Sequence, residues 1–220
     1  MTRSSRPLAI FVLAANLAAA CSTGGPGGPA ATASQPPVSA EPSVAAGACP
    51  TVQPPALSAG EERVVTIETA KGEIAITIEA DLSPIAAGNF VALAACGYYD
   101  GVVFHRLVPG FVIQGGDPTG TGTGGPGYEI QDEPVTATYG RGTVAMARTA
   151  APNSVGSQFF IVLDDQARSS LAGANTYQII GTVTQGMETV DAIAAMPNSG
   201  EPNNTALEPI AMEKVTVTTP

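Results

Sequence analysis

A closed, eight-stranded antiparallel β-barrel capped by two α-helices is the fold this sequence predicts for residues 61–220, a mainly β class. Three observations predict it. Eight short runs rich in Val, Ile, Thr and Phe are separated by turns bearing glycine or proline. Only two stretches carry apolar residues in a helical pattern. The composition, with 25 Gly, 19 Pro and no Trp, favours β-structure with many turns over a helical bundle. At 220 residues the chain accommodates one sizeable domain plus a tail, and no internal repeat is visible.

The N-terminus reads as a targeting segment, a signal peptide over residues 1–20. Arg3 and Arg6 supply a positive region, Leu8 to Ala20 an apolar run, and Ala18-Ala19-Ala20 a small-residue site before Cys21. The run is too short to span a bilayer, so cleavage is expected. Two processing outcomes are open. Leu17-Ala18-Ala19-Ala20-Cys21 resembles a bacterial lipobox with alanine where a larger aliphatic is usual, which would lipidate Cys21 and anchor the chain to the outer side of a bacterial cell membrane. Ala18-x-Ala20 also suits an ordinary secretory peptidase, which would release it. Residues 21–60, dominated by Gly, Pro, Ala, Ser and Thr, read as a disordered linker.

The chain has three cysteines. With Cys21 lipidated, Cys49 and Cys96 remain as a candidate disulfide in an oxidising compartment. Such a bridge would staple the end of the linker to the domain; two free thiols are the alternative.

Order is expected from Glu61. Val64 to Glu68 and Glu73 to Glu79 alternate in part and flank Ala70-Lys71-Gly72, a hairpin. Ser83-Pro84 opens a helix, with serine as N-cap, proline at the first helical position and Ile85, Phe90, Val91 and Leu93 along one side. Cys96-Gly97 ends it. Strands follow around residues 102–108, 111–115, 143–147, 157–163, 178–183 and 213–218, and Met187 to Ala195 reads as the second helix.

The formal net charge of −10 argues against a nucleic-acid partner, because an acidic body repels phosphate. His105 is the only histidine, and no Cys/His cluster accompanies it, so neither a metal site nor a cofactor is expected. By strand alternation His105 points away from Arg106 and reads as structural. Gly115 to Gly125 lacks the Gly-Lys-Ser/Thr ending of a phosphate loop and reads as a mobile turn beside a groove.

Two segments carry the chemistry. Phe104-His105-Arg106-Leu107-Val108-Pro109-Gly110-Phe111-Val112-Ile113-Gln114-Gly115-Gly116-Asp117 sets an arginine, a phenylalanine and a glutamine just before a glycine-rich turn. About forty residues on comes Gly156-Ser157-Gln158-Phe159-Phe160-Ile161. In this order and at this distance the pair resembles the active face of the cyclophilins, a family of peptidyl-prolyl cis/trans isomerases. The resemblance runs from about Val64 to Val217 and implies the same barrel.

What the resemblance implies is specific. Arg106 falls on the catalytic arginine and Gln114 on the glutamine that orients it. Phe111, Val112 (often methionine in the family), Phe160, Leu171 and Tyr177 fall on the pocket for the proline ring. Gln158 falls on a substrate-binding glutamine. Ala147 and Arg148 lie in the strand whose backbone pairs with substrate, Arg148 standing where many relatives carry asparagine. Matching Tyr177 requires a two-residue insertion across Ala172 to Thr176. Rotation about an X–Pro bond faces a barrier of ~18–20 kcal/mol from amide resonance and needs no nucleophile, metal or proton transfer. The implied partners are proline-containing segments of unfolded or exported proteins, met by a monomer. Two other classes fit less of the pattern: a proline-peptide-binding chaperone module without useful catalysis, and a structural envelope protein.

Overall fold

The computed structural model describes residues 47–220. The leader, Cys21 and the linker up to residue 46 lie outside the described residues. Strands β1 (Glu62–Thr69) and β2 (Gly72–Glu79) form the expected hairpin, with Thr69 opposite Gly72. Then come α1 (Pro84–Ala95), β3 (Val103–Val108), β4 (Val112–Asp117), β5 (Thr143–Met146), β6 (Phe159–Val162), α2 (Ala167–Ala174), β7 (Ile179–Gln185), α3 (Met187–Ala194), β8 (Thr205–Ala211) and β9 (Lys214–Thr218). All nine strands join one antiparallel sheet in the order β8-β3-β4-β6-β5-β7-β2-β1-β9.

Three expectations are corrected. The described residues hold nine strands rather than eight and three helices rather than two. The barrel is partly open rather than closed: edge strands β8 and β9 do not pair with each other but are consecutive in the chain. Their link is fastened by Met212 N–H to the Val102 carbonyl at 2.9 Å and Glu213 N–H to the Glu68 carbonyl at 2.7 Å. Strand β8, Thr-Ala-Leu-Glu-Pro-Ile-Ala, lacks a β-branched run and contains Pro209, which an edge strand tolerates. Helix α2 is eight residues of Ala, Arg, Ser, Leu and Gly, with only Ala167 and Leu171 buried, too short a pattern to read as periodic.

Alternation of side chains across the sheet builds two separate apolar clusters. Ile113 of β4, Phe159 and Ile161 of β6 and Val144 and Met146 of β5 point inward to the main core with Phe90, Leu93, Tyr99 and Phe104. Their neighbours Val112, Phe160, Val162 and Ala145 point outward into a second cluster, with Leu171 and Ile179. Each buried ring or branched side chain contributes about 1.5–3 kcal/mol relative to exposure.

Helix α1 begins where expected, but Ser83 does not cap it with its side chain. The Glu133 carboxylate does instead, its Oε1 accepting from Ile85 N–H at 2.8 Å and its Oε2 from Ala86 N–H at 2.9 Å. An anion against the positive end of a helix satisfies two orphan donors at once. Gln178, fully buried, donates to the same Oε2 at 3.1 Å.

Residues 50–60, which composition assigns to the linker, carry no helix or strand yet lie along α1. Cys49 is bridged to Cys96 at the helix C-cap, with Cα atoms 5.1 Å apart. Pro54 is buried, Leu57 packs against the main core, and Leu57 N–H donates to the Pro84 carbonyl at 3.1 Å. Gly88 is required there, because a β-carbon would collide with the Pro55 carbonyl oxygen. Among the described residues no helix is long and apolar enough to cross a membrane.

Candidate active site

The site lies on the outer face of β3, β4, β6 and β5. Arg106 is opposite Gln114, Gln114 opposite Phe160, and Phe160 opposite Ala145, one row across four strands. Two residues along β4 from Gln114, Val112 emerges on the same face; two residues before Phe160, Gln158 does likewise.

Arg106 reaches this face only because β3 is bulged. Phe104 and Leu107 both enter the main core, which an unbroken strand forbids, since residues three apart point to opposite faces. The register slips between Phe104 and Arg106 against both β4 and β8. The extra residue re-aims Arg106 outward, as bulges beside active sites do. The expectation that simple alternation separates His105 from Arg106 is therefore corrected: both line one cavity of about 390 Å3, with Gln114, Pro202 and Asn203. His105 is nevertheless buried, and neither ring nitrogen has a partner among the described residues. Burial lowers its pKa; Asp117 pulls the other way and Arg106 pushes it further down. Burial thus favours its neutral imidazole form.

The polar side chains form a chain. Arg106 Nη1 donates to Gln114 Oε1 at 3.2 Å, and Gln114 Nε2 donates to Gln158 Oε1 at 2.9 Å. Gln158 Nε2 donates to the Gly124 carbonyl at 2.9 Å. On its other side Arg106 Nε donates to the Asn203 carbonyl at 3.3 Å. The guanidinium is thus held by an acceptor at each end and, among the described residues, by no carboxylate, so its charge is left for a ligand.

Beside it the apolar residues converge. Val112, Phe160 and Leu171 are buried in the second cluster, and Phe111, Ala147 and Tyr177 pack against it partly exposed. Tyr177 stands edge-on to Phe160, ring centroids 5.3 Å apart, and its carbonyl accepts from the Tyr139 hydroxyl at 2.9 Å. Beyond Gln114 and Gln158 runs a groove of about 740 Å3, floored by Ala147 and Arg148 and walled by Tyr128 and Gly156. The Arg148 guanidinium is engaged within the fold, paired with Asp132 at 2.9 Å and donating to the carbonyls of Thr149 at 3.1 Å and Ala151 at 2.7 Å.

The glycine-rich turn after β4 is more tightly tied than a mobile segment would be. The Asp117 carboxylate accepts from the backbone of Thr119, Thr121, Gly122 and Gly124 and from the Thr119 hydroxyl. Sequence reasoning missed Gly124 and Asn203, which act through backbone carbonyls that no side-chain motif reports. Asp117 heading a run of glycines and threonines was a legible turn signal.

A rigid cation beside an apolar slot, with a groove for an extended chain, suits a proline-containing peptide. The family model for "Cyclophilin type peptidyl-prolyl cis-trans isomerase/CLD" matches residues 64–217. The chain belongs to the cyclophilins. This cyclophilin is 41% identical over 158 residues to an Arabidopsis thaliana peptidyl-prolyl cis-trans isomerase, covering 70% of the chain and 94% of that relative. It is 50% identical over 102 residues to a putative bifunctional phosphatase/peptidyl-prolyl cis-trans isomerase of Streptococcus pyogenes, a match spanning 44% of the chain and 22% of that longer protein. Among solved structures it resembles a cyclophilin type peptidyl-prolyl cis-trans isomerase of Cryptosporidium parvum, with TM-score 0.63 and 33% identity over 72% of this chain and 99% of that one. The same parvum protein solved in the presence of the dipeptide ala-pro gives a TM-score of 0.62 at 33% identity over 71% of this chain and 99% of that one. The cyclophilin is accordingly an enzyme of the peptidyl-prolyl cis-trans isomerase class, and its partly open barrel is the family's fold.

Proposed function

We propose that this cyclophilin accelerates rotation about X–Pro bonds in exported proteins by electrostatic stabilisation of the half-rotated imide, with Arg106 as the catalyst. The observation that carries the reading is the Arg106 guanidinium, held through Gln114 and Gln158 and paired with no carboxylate among the described residues, beside the apolar cluster of Phe111, Val112, Phe160, Leu171 and Tyr177. In the planar ground state the imide nitrogen's lone pair is delocalised into the carbonyl; at the twisted state it localises and accepts a hydrogen bond. A guanidinium aimed at that nitrogen binds the twisted state more strongly than either planar one, which lowers the barrier by differential binding. The apolar slot grips the proline ring, and Gln114 and Gln158 hold the flanking peptide while one side turns. No proton moves.

Export is supported by two independent features. Arg3, Arg6, the apolar run and Leu17-Ala18-Ala19-Ala20-Cys21 have the form of a lipoprotein leader, and Cys49 is bridged to Cys96, a bond that persists in oxidising compartments. Uncatalysed proline isomerisation takes tens of seconds, long enough to limit folding after secretion. Lipidated Cys21 would tether the domain to the membrane through the residues that follow.

The experiment is exchange NMR or a coupled assay on a short Ala-Pro peptide with the full chain and its Arg106→Ala variant. Turnover should fall at least about tenfold, with the fold retained. Unchanged turnover would reject Arg106 as catalyst; peptide binding without exchange in the unaltered chain would favour a non-catalytic binding module. A mass spectrum of the mature N-terminus reads acylation of Cys21 directly.

A further inference from the structure

The chain of amides that ends at Arg106 runs in one direction, and its far end is anchored on a backbone carbonyl. Gln158 Nε2 donates to the Gly124 carbonyl at 2.9 Å, which leaves Gln158 Oε1 to accept from Gln114 Nε2, also at 2.9 Å. Gln114 Oε1 is then the atom turned toward Arg106 Nη1, 3.2 Å away. Reversing either amide would set two N–H groups or two carbonyl oxygens against each other. A side-chain amide can present either end, but a backbone carbonyl only accepts. Both ends of the chain are therefore fixed, since the Arg106 guanidinium only donates and the Gly124 carbonyl only accepts, and the two agree on one direction.

The position of Gly124 is set in turn by Asp117, a buried carboxylate at the end of β4. Its Oδ2 accepts from the N–H groups of Thr121 at 3.1 Å, Gly122 at 2.6 Å and Gly124 at 3.1 Å. Its Oδ1 accepts from Thr119 N–H at 2.7 Å and the Thr119 hydroxyl at 2.8 Å. Burial alone would raise this carboxyl's pKa, but the bonds from Gly124, Thr119 and Gly122 outweigh it and hold the group well below the usual carboxylate range. The turn is thus wound around a permanent anion. The fit is close, since a β-carbon on Gly124 would collide with Asp117 Oδ1.

We propose that Asp117 is a positioning residue for isomerisation: by fixing the Gly124 carbonyl it sets where Gln158 and Gln114 are held, and through them the aim of Arg106. The inference rests on Arg106 being the catalyst. A residue that only shaped the groove would act on substrate binding and appear in KM. One that aims the guanidinium at the twisted state acts on kcat.

The test uses the full chain and two variants, Asp117→Asn, which weakens the anchor, and Gly124→Ala, which keeps the carboxylate but crowds it. Two quantities are read: the side-chain amide NMR signals of Gln114 and Gln158 without substrate, and kcat and KM on an Ala-Pro peptide. In both variants the two glutamine signals should move or broaden and kcat should fall about fivefold, with KM within about twofold. If Asp117→Asn does not fold, Gly124→Ala carries the test alone. Glutamine signals and kcat at unaltered values, or an effect confined to KM, would overturn the inference while leaving an inactive Arg106→Ala variant, and so the catalytic reading, intact. Unchanged turnover in Arg106→Ala would instead overturn the catalytic reading and, with it, any role for Asp117 in aiming a catalyst.

Discussion

Phe160 and Tyr177 meet edge to face, ring centroids 5.3 Å apart with 86° between planes, although they are 17 positions apart in the chain. The contact joins the outward face of β6 to the segment after α2, and it makes Tyr177 a wall of the slot rather than a surface ring. Such a pair contributes about 0.5–1.5 kcal/mol beyond the area it buries. Tyr177→Ala should therefore raise KM for an Ala-Pro peptide about three- to tenfold with a smaller effect on kcat, whereas Tyr177→Phe should keep both near the original values. Steady-state kinetics on the two variants check this.

Arg106→Lys should fail to restore the activity lost in Arg106→Ala. The guanidinium spends Nη1 on Gln114 and Nε on the Asn203 carbonyl and still presents further donors in a fixed plane. A lysine ammonium keeps the charge but cannot make both anchoring bonds in that geometry. Recovery above about a third of the original turnover would show that charge alone suffices.

His105 should make the fold acid-sensitive above the range where carboxylates titrate. Its pKa is lowered in the folded chain by burial, with Asp117 opposing and Arg106 reinforcing, against an unfolded value of about 6.5. The unfolded chain then takes up the proton more readily than the folded one. Stability is fully present above about pH 6.5 and declines as pH falls below it. Asp117, whose pKa is also lowered, contributes stability that is fully present above the ordinary carboxylate range and is lost only at more acid pH, as pH falls through its folded value. Because His105 is the sole histidine, the change in melting temperature between pH 7 and pH 5 should flatten in His105→Phe. An equally steep change in that variant would assign the effect elsewhere.

Glu133→Ala should destabilise the fold by about 2 kcal/mol in urea unfolding, through the loss of two capped helix donors and the Gln178 contact. Ser83→Ala should cost far less, because Ser83 makes no capping bond with its side chain.

The row of candidate site residues was legible because it is local. Arg106, Phe111 and Gln114 lie within one hairpin, and Gln158 and Phe160 within one strand and its approach, so the spacing of the two motifs brings them near each other, while the face that Arg106 takes depends on the bulge. The bulge at His105 was not legible: it arises because Phe104 and Leu107 both have room in the core, which is a property of the finished barrel. Ser83 does stand at the N-cap of α1, but the side chain that accepts from the helix donors, Glu133, was not legible for a similar reason, lying 48 residues from Ile85. Arg148 matched a family position, yet its charged end is committed to Asp132, a pairing that only the folded turn at residues 148–154 creates. Strand β8 and helix α2 escaped because Pro209 and a short Ala/Ser/Gly run carry little periodic signal.

The bridge between Cys49 and Cys96 also sets a path for mechanical tension. A pull transmitted along the chain from its N-terminal side reaches a covalent cross-link at the end of α1 before it reaches Pro54, Leu57 or the first strand. Peeling residues 50–60 away from Gly88, hydrogen bond by hydrogen bond, is thereby prevented. A domain tugged by a moving surface or by a client chain would yield as a whole or not at all.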